Sequence, residues 1–227
     1  MERMDRLLTR LGYGCRKEVQ HMIKRGSVQV EGLCVRDPAR KVNHATVTVD
    51  GEILDPQNII IVMHKPKNVI CSHSDGGKLI YTLLPERYQR RNPKISTIGR
   101  LDKDTTGIIL LTDDGTLNHT LTSPKKEITK IYQVTLASPL DGSEVATFAS
   151  GELMLNGEEK PCLPAKLTII DPFHAQVELK EGKYHQVKRM FGATGNRMVE
   201  LHRSQFANLT LDGLKEGEFK LVASVES

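Results

Sequence analysis

The sequence predicts an α+β protein in two parts: a small basic helical unit, then a larger unit on a mainly antiparallel mixed sheet. Three observations predict it. Short β-rich runs outnumber helical ones and their connections are short, unlike alternating parallel units. The chain, 227 residues long, has room for one small and one medium domain. Positive charge is unevenly placed: residues 3 to 25 carry seven cations against two acids, which alone covers the formal net charge of +4. Such clustering points to a polyanion partner, although a solvated helix face gives the same pattern.

Residues 3 to 11 read as a helix, with Leu7, Leu8 and Leu11 on one face and Arg3, Arg6 and Arg10 on another. Gly12 and Gly14 break it. A second helix follows Cys15, with Val19, Met22 and Ile23 as its buried stripe, Glu18 at the capping-box position and Gly26 as a left-handed stop. A small hairpin runs through Val28, the turn Glu31-Gly32 and Val35, and a strand covers 46–49. Asp55-Pro56-Gln57-Asn58 reads as a linker, which sets the two parts at 1–54 and 59–227.

Beyond it, Ile59 to Met63 is a continuous apolar run, the pattern of a strand buried on both faces. Residues 72–79 read as a loop and 87–94 as a basic surface excursion. A short helix is expected at 116–121, a strand at 131–136 and a Ser-capped helix at 143–149. Strands are expected at 166–170, 175–179 and 199–202, and a helix at 184–193. No run of about 18 apolar residues occurs, and the opening Met-Glu-Arg-Met-Asp-Arg has no apolar signal core, so neither a membrane span nor an export signal is expected. Cys15, Cys34, Cys71 and Cys162 form no close pair, which argues against zinc and for reduced thiols in a cytoplasmic protein.

The stretch Gly99 to Gly115 organises the chain: acids, hydroxyls and a glycine, then four apolar residues. A polar knot against a buried strand is how a rigid sheet presents a reactive side chain. Asp102, Asp104, Thr106 and Gly107 fit the start of a calcium loop, but the twelfth position is Asp113 and the flanks are not helical. Asp102, Asp104 and Thr106 also fit the D-x-D-x-T phosphotransferase pattern, whose apolar strand precedes the acid; here it follows.

Two resemblances account for more. Ile23, Gly26, Val28, Val30 and Gly32 behind two basic helices resemble the S4 RNA-binding domain, whose cationic face suits structured RNA. Gly99-Arg100-Leu101-Asp102, Thr105, Gly107 and the run to Asp114-Gly115 resemble the active-site signature of pseudouridine synthases. Lys130-Ile131-Tyr132 is similar to that family's K-x-Y, and Gly182 to Met190 to its G-[RK]-x-[HR]-Q-[VI]-[RK]-R-M. With the S4 part, the whole resembles the branch acting on ribosomal RNA. The Tyr-His-Gln-Val-Lys-Arg-Met-Phe form, with Val199 to Arg203, is most similar to the enzymes of the small (16S) subunit.

The resemblance implies isomerisation of a uridine without cofactor or metal. It puts Asp102 at the nucleophile, or the base at the sugar, and Lys188 beside it as the cation that keeps a buried carboxylate ionised. Tyr132 offers a flat face and a hydroxyl to the flipped base. Core packing alone also explains an inward Tyr132, and a solvated face explains Lys188. RNA contacts are expected from Arg100, Lys130 and Arg189, and from Arg3, Arg6, Arg16, Lys17, Lys24 and Arg25. His185 and Gln186 take no catalytic role, and Asp104, Asp113 and Asp114 are loop scaffolding. A monomer acting on free rRNA or on an assembling subunit is expected. The alternatives are large-subunit (23S) RNA and a non-catalytic rRNA-binding factor. Where the family has Asn-Lys-Pro-x-Gly, this chain has His64-Lys65-Pro66-Lys67-Asn68, and Asn68 is expected to supply the glycine's positive φ.

Overall fold

The computed structural model describes residues 1–226. The N-terminal part holds helix α1 (Met4–Arg10), α2 (Arg16–Arg25) and a small sheet of β1 (Val28–Val30), β2 (Leu33–Cys34), β3 (Val47–Val49) and β4 (Glu52–Ile53). Sequence-local rules explain α2. The Glu18 carboxylate accepts the Cys15 backbone N–H at 2.7 Å, and Gly26 ends the helix at φ +96°. Met4, Leu7, Leu8, Leu11, Val19 and Ile23 from the helices and Val28, Val47 and Leu54 from the sheet form one core. Residues 44–46, partly expected as strand, form a 3-10 turn before β3.

The larger part is a nine-stranded sheet. Its path begins with β5 (Ile60–Lys65), β6 (Ser96–Ile98), β7 (Thr106–Thr112) and β8 (Lys130–Leu136). It continues with β9 (Lys166–Asp171), β10 (His174–Leu179), β11 (Met198–Phe206), β12 (Leu209–Thr210) and β13 (Phe219–Val222). The order is β9-β10-β8-β11-β7-β5-β13, with β6 beside β7 and β12 beside β11. Only the β7–β11 pair is parallel, so the sheet is mixed but mainly antiparallel. All seven residues of β7 are buried because strands flank both its edges and packed layers cover both its faces. Gly107 is required there: at φ +110°, an added Cβ would lie 2.2 Å from the Arg203 carbonyl oxygen of β11.

Four helices complete this part: α3 (Glu86–Gln89), α4 (Gly115–Thr122), α5 (Ser143–Ala149) and α6 (Gln186–Ala193). Asp114 caps α4 through the Thr116 and Leu117 N–H groups, both near 3 Å. The cap of α5 is Gly142 rather than Ser143, and Glu144 accepts the Gly142 N–H instead. Helix α6 begins at Gln186, two residues later than the pattern predicts, because His185 is left-handed at φ +45°. Asn68 takes φ +64° in place of a glycine.

The 87–94 segment is not a free surface excursion. Tyr88 is buried, and Arg91 and Asp113 form a fully buried ion pair at 2.7 Å. Arg91 also donates to the carbonyls of Pro56 and Gln57 at 2.9 and 2.8 Å, so it fastens the linker to the sheet. Asp113 in turn accepts the Ile59 N–H at 2.8 Å. The segment faces the helical unit: the Asn92 N–H donates to the Arg10 carbonyl, the Arg87 guanidinium sits 5.0 Å from the Tyr13 ring centre, and a Cβ on Gly12 would strike the Arg87 carbonyl.

Removing one member of a buried pair leaves the other charge unpaired, at a cost of about 3–5 kcal/mol. Asp113→Asn is expected to lose stability of that order in urea unfolding. A loss below about 1 kcal/mol would contradict the role assigned to the pair.

Candidate active site

The loop between β6 and β7 carries Asp102, and its flanks are fixed from below. Leu101 is in the core, and the Thr105 N–H closes a turn on the Asp102 carbonyl at 3.1 Å. Lys65, at the end of β5, is fully buried. Its ammonium donates to the carbonyls of Thr105, Pro66 and Lys103 at 2.8, 3.1 and 3.4 Å. Burial lowers its pKa, and no carboxylate forms an ion pair with it among the described residues. Its hydrogen bonds go to the backbone on either side of Asp104. The Asn68 N–H holds Lys103 as well, at 2.8 Å.

Above the loop lies the start of α6. Lys188 Nζ is 2.9 Å from one Asp102 oxygen and 2.6 Å from Asp104, while His185 Nε2 is 3.1 Å from the other Asp102 oxygen. The sequence reading pairs Asp102 with Lys188, and the structure brings the two together. It also adds two residues given no such place. Asp104 is not mere scaffolding, because it shares Lys188. His185 reaches Asp102 because its left-handed backbone turns the ring back over the loop, where it stacks on Tyr184 with ring centres 3.8 Å apart. Burial opposes the Lys188 charge, but Asp102 and Asp104 outweigh it and hold its pKa above the ordinary lysine value. Partial burial likewise opposes ionisation of Asp104, and the Lys188 hydrogen bond and charge overcome it.

Asp102, His185 and Tyr132 line one cavity with Arg100, Lys130, Glu181 and Arg203. Tyr132 is 9 % exposed and pairs in register with Arg203 across β8 and β11. Lys130 faces the same cavity, two residues along β8, and burial with the nearby Arg203 charge brings its pKa down to about 8. Arg203 is a buried polar residue that sequence reasoning did not single out as a site residue. Its place at the end of the Val199 to Arg203 stretch carries part of the resemblance, but that stretch assigns the arginine no role.

Not every expected RNA contact is free. Arg189 points inward, to Glu158 at 2.7 Å and to the carbonyls of Tyr184 and Asn156, and so braces the 156–158 loop against α6. Arg3 holds the buried Asp5 through two hydrogen bonds, at 3.1 and 2.9 Å. Arg6, Arg16, Lys17, Lys24 and Arg25 remain exposed on the helical unit.

The sheet presents a cation-clamped carboxylate beside a buried tyrosine, and the helical module presents exposed cations. The RNA pseudouridylate synthase family pattern matches residues 59–193, and the S4 domain pattern residues 2–47. Ribosomal small subunit pseudouridine synthase A of Vibrio cholerae is 39% identical over 228 residues, 99% of this chain and 97% of that protein. Its Pasteurella multocida namesake is 37% identical over 99% of this chain and 97% of its own. A crystal structure of a pseudouridylate synthase superposes with TM-score 0.67 at 33% identity, covering 98% of this chain and 96% of that one. The chain belongs to the RNA pseudouridylate synthase family and carries an S4 module at its N-terminal end.

The sign of the Asp104 shift can be tested. Its pairing contributes stability that is fully present above the ordinary value of 3.8 and is lost as pH falls through the lowered one. Carboxyl NMR is expected to find Asp104 titrating below 3.8, and Lys188→Met to bring it back to 3.8 or above. An Asp104 titration unmoved by Lys188→Met would contradict the shared clamp.

Proposed function

We propose that this enzyme converts a uridine of small-subunit ribosomal RNA to pseudouridine, with Asp102 as the reacting carboxylate. The observation that carries the reading is the Asp102 carboxylate, held between Lys188 and His185 at the wall of a cavity that Tyr132 lines. The relatives' names supply the class of RNA.

A carboxylate near the sugar is suited to the positive charge that grows on the ribose as the glycosidic bond weakens, whether it attacks or acts as a base. The Lys188 ammonium and the His185 ring fix its orientation before substrate arrives, so little reorganisation remains at the moment of reaction. Tyr132 presents a flat face to a base swung out of the RNA, and Arg100, exposed next to Asp102, is placed to hold the strand open or bind a phosphate. Residues 1–54 dock the RNA through Arg6, Arg16, Lys17, Lys24 and Arg25, with 55–58 as the link to a catalytic part at 59–227. The protein acts as a cytoplasmic monomer, on free RNA or on an assembling particle. No helix among the described residues is long and apolar enough to cross a membrane.

Tritium release from C5-labelled uridine in small-subunit transcripts tests the proposal. Wild-type protein is expected to release label from that RNA and not from large-subunit transcripts, and Asp102→Asn to release none. Normal release by Asp102→Asn would remove Asp102 from the chemistry, and preferential release from large-subunit RNA would reassign the substrate.

A further inference from the structure

The inner wall of the cavity carries two cations with no ion-pair partner among the described residues. Lys130 and Tyr132 alternate on β8 and so share a face, and Tyr132 pairs with Arg203 of β11. Arg203 is 2 % exposed yet lines the cavity. Its Nε donates to the Ile108 carbonyl at 2.8 Å, and its Nη2 has no hydrogen-bond partner within the described chain. The Lys130 ammonium has one hydrogen bond, to the Ile128 carbonyl at 2.7 Å. Both cations lie over the Phe206 ring, at 5.7 Å for Lys130 and 5.2 Å for Arg203. Neither forms an ion pair among the described residues. Of the two acids that line the cavity, Asp102 is taken by Lys188, and Glu181 spends one carboxylate oxygen on the Leu163 N–H at 2.8 Å and on Gln186 Nε2 at 2.6 Å.

Two like charges on one buried wall, one with an unused donor, destabilise the protein on its own. They suit an anion that forms inside the cavity. Backbone phosphates stay with the sugar at the rim, where Arg100 and Lys180 are exposed, whereas a flat base can pass inward beside Tyr132. Resting on the pseudouridine synthase reading, we propose that Lys130 and Arg203 are catalytic residues that bind a carbonyl oxygen of the departing uracil. When the N1–C1′ bond breaks, its electron pair leaves with uracil and spreads from N1 to O2 and O4, where these two donors receive it. The positive C1′ faces Asp102 meanwhile. After the ring turns, C5 supplies the electron pair of the new C5–C1′ bond; its proton is then released to water while N1 takes up a proton from water, so the product is an isomer of the substrate. The two cations and Asp102 thus serve opposite charges of one separated pair.

The assignment predicts a dependence on the leaving group. Single-turnover breakage of the N-glycosidic bond, read by nucleoside analysis after digestion, would be compared for small-subunit transcripts carrying uridine or 5-fluorouridine. Fluorine stabilises the uracil anion by itself. Lys130→Met is expected to slow breakage about 100-fold on uridine, the usual effect of losing one such donor, with RNA affinity within about twofold of wild type. On 5-fluorouridine the deficit is expected to shrink at least about fivefold, with Lys130→Arg restoring most of the uridine rate. Arg203→Met is expected to follow the same pattern, with Arg203→Lys as its rescue; if Arg203→Met melts below assay temperature, Lys130→Met decides alone. A Lys130→Met rate within twofold of wild type, or equal losses on both substrates, overturns the assignment and leaves the function standing. A wild-type protein that binds the RNA and breaks neither bond overturns both.

Discussion

Asp102 meets Lys188 at 2.9 Å and His185 at 3.1 Å, and much of the larger domain can be understood as what keeps those contacts in place. The acid comes from a loop between two strands, and the lysine and the histidine from the start of a helix far along the chain. Neither alone fixes the geometry. Lys65 and Asn68 tie the loop to the end of β5, and the left-handed His185 sets where α6 begins. Gly107 lets β7 and β11 approach closely enough that Arg203 comes into register with Tyr132. The common requirement is electrostatic: a partly enclosed carboxylate stays ionised only with cations nearby, and a cation stays enclosed only with carboxylates or carbonyls nearby. Lys188 and Lys65 meet that requirement in those two different ways.

The same logic joins the two parts of the chain. Arg91 is buried against Asp113 and takes the linker carbonyls, so the stretch that leaves the S4 module is fixed to the sheet that carries Asp102. Asp55 adds an ion pair with Arg87, whose guanidinium lies near Tyr13 of the helical unit. The linker therefore fixes the helical unit to the sheet that carries the cavity. Asp113 and Asp114 sit side by side with separate tasks, one in this buried pair and the other at the cap of α4.

What the sequence made legible follows from locality. Helices α1 and α2, the hairpin and β5 rest on spacing and capping that a single segment contains, and each lies within a residue or two of its expected place. The Asp102–Lys188 pairing came from a resemblance rather than from physics, because nothing in the spacing of two distant segments says that they meet. Where only tertiary packing decides, the reading fell short. The 87–94 segment looked like a solvated basic loop, since a buried arginine and an exposed one look alike in sequence; its partner Asp113 lies beyond the intervening strands. Arg189 looked like an RNA contact for the same reason, and Glu158 holds it. His185 depends on a backbone conformation that a histidine seldom adopts, and Arg203 on a strand pairing between β8 and β11.

The account stands or falls on whether Asp102 modifies small-subunit RNA in the cell. Pseudouridines would be mapped across both ribosomal RNAs in cells lacking this protein, then in the same cells supplied with wild-type protein or with Asp102→Ala at equal abundance. The account predicts one small-subunit pseudouridine that disappears, returns with wild type and stays absent with Asp102→Ala. Its return with Asp102→Ala, or a loss confined to large-subunit RNA, would contradict it.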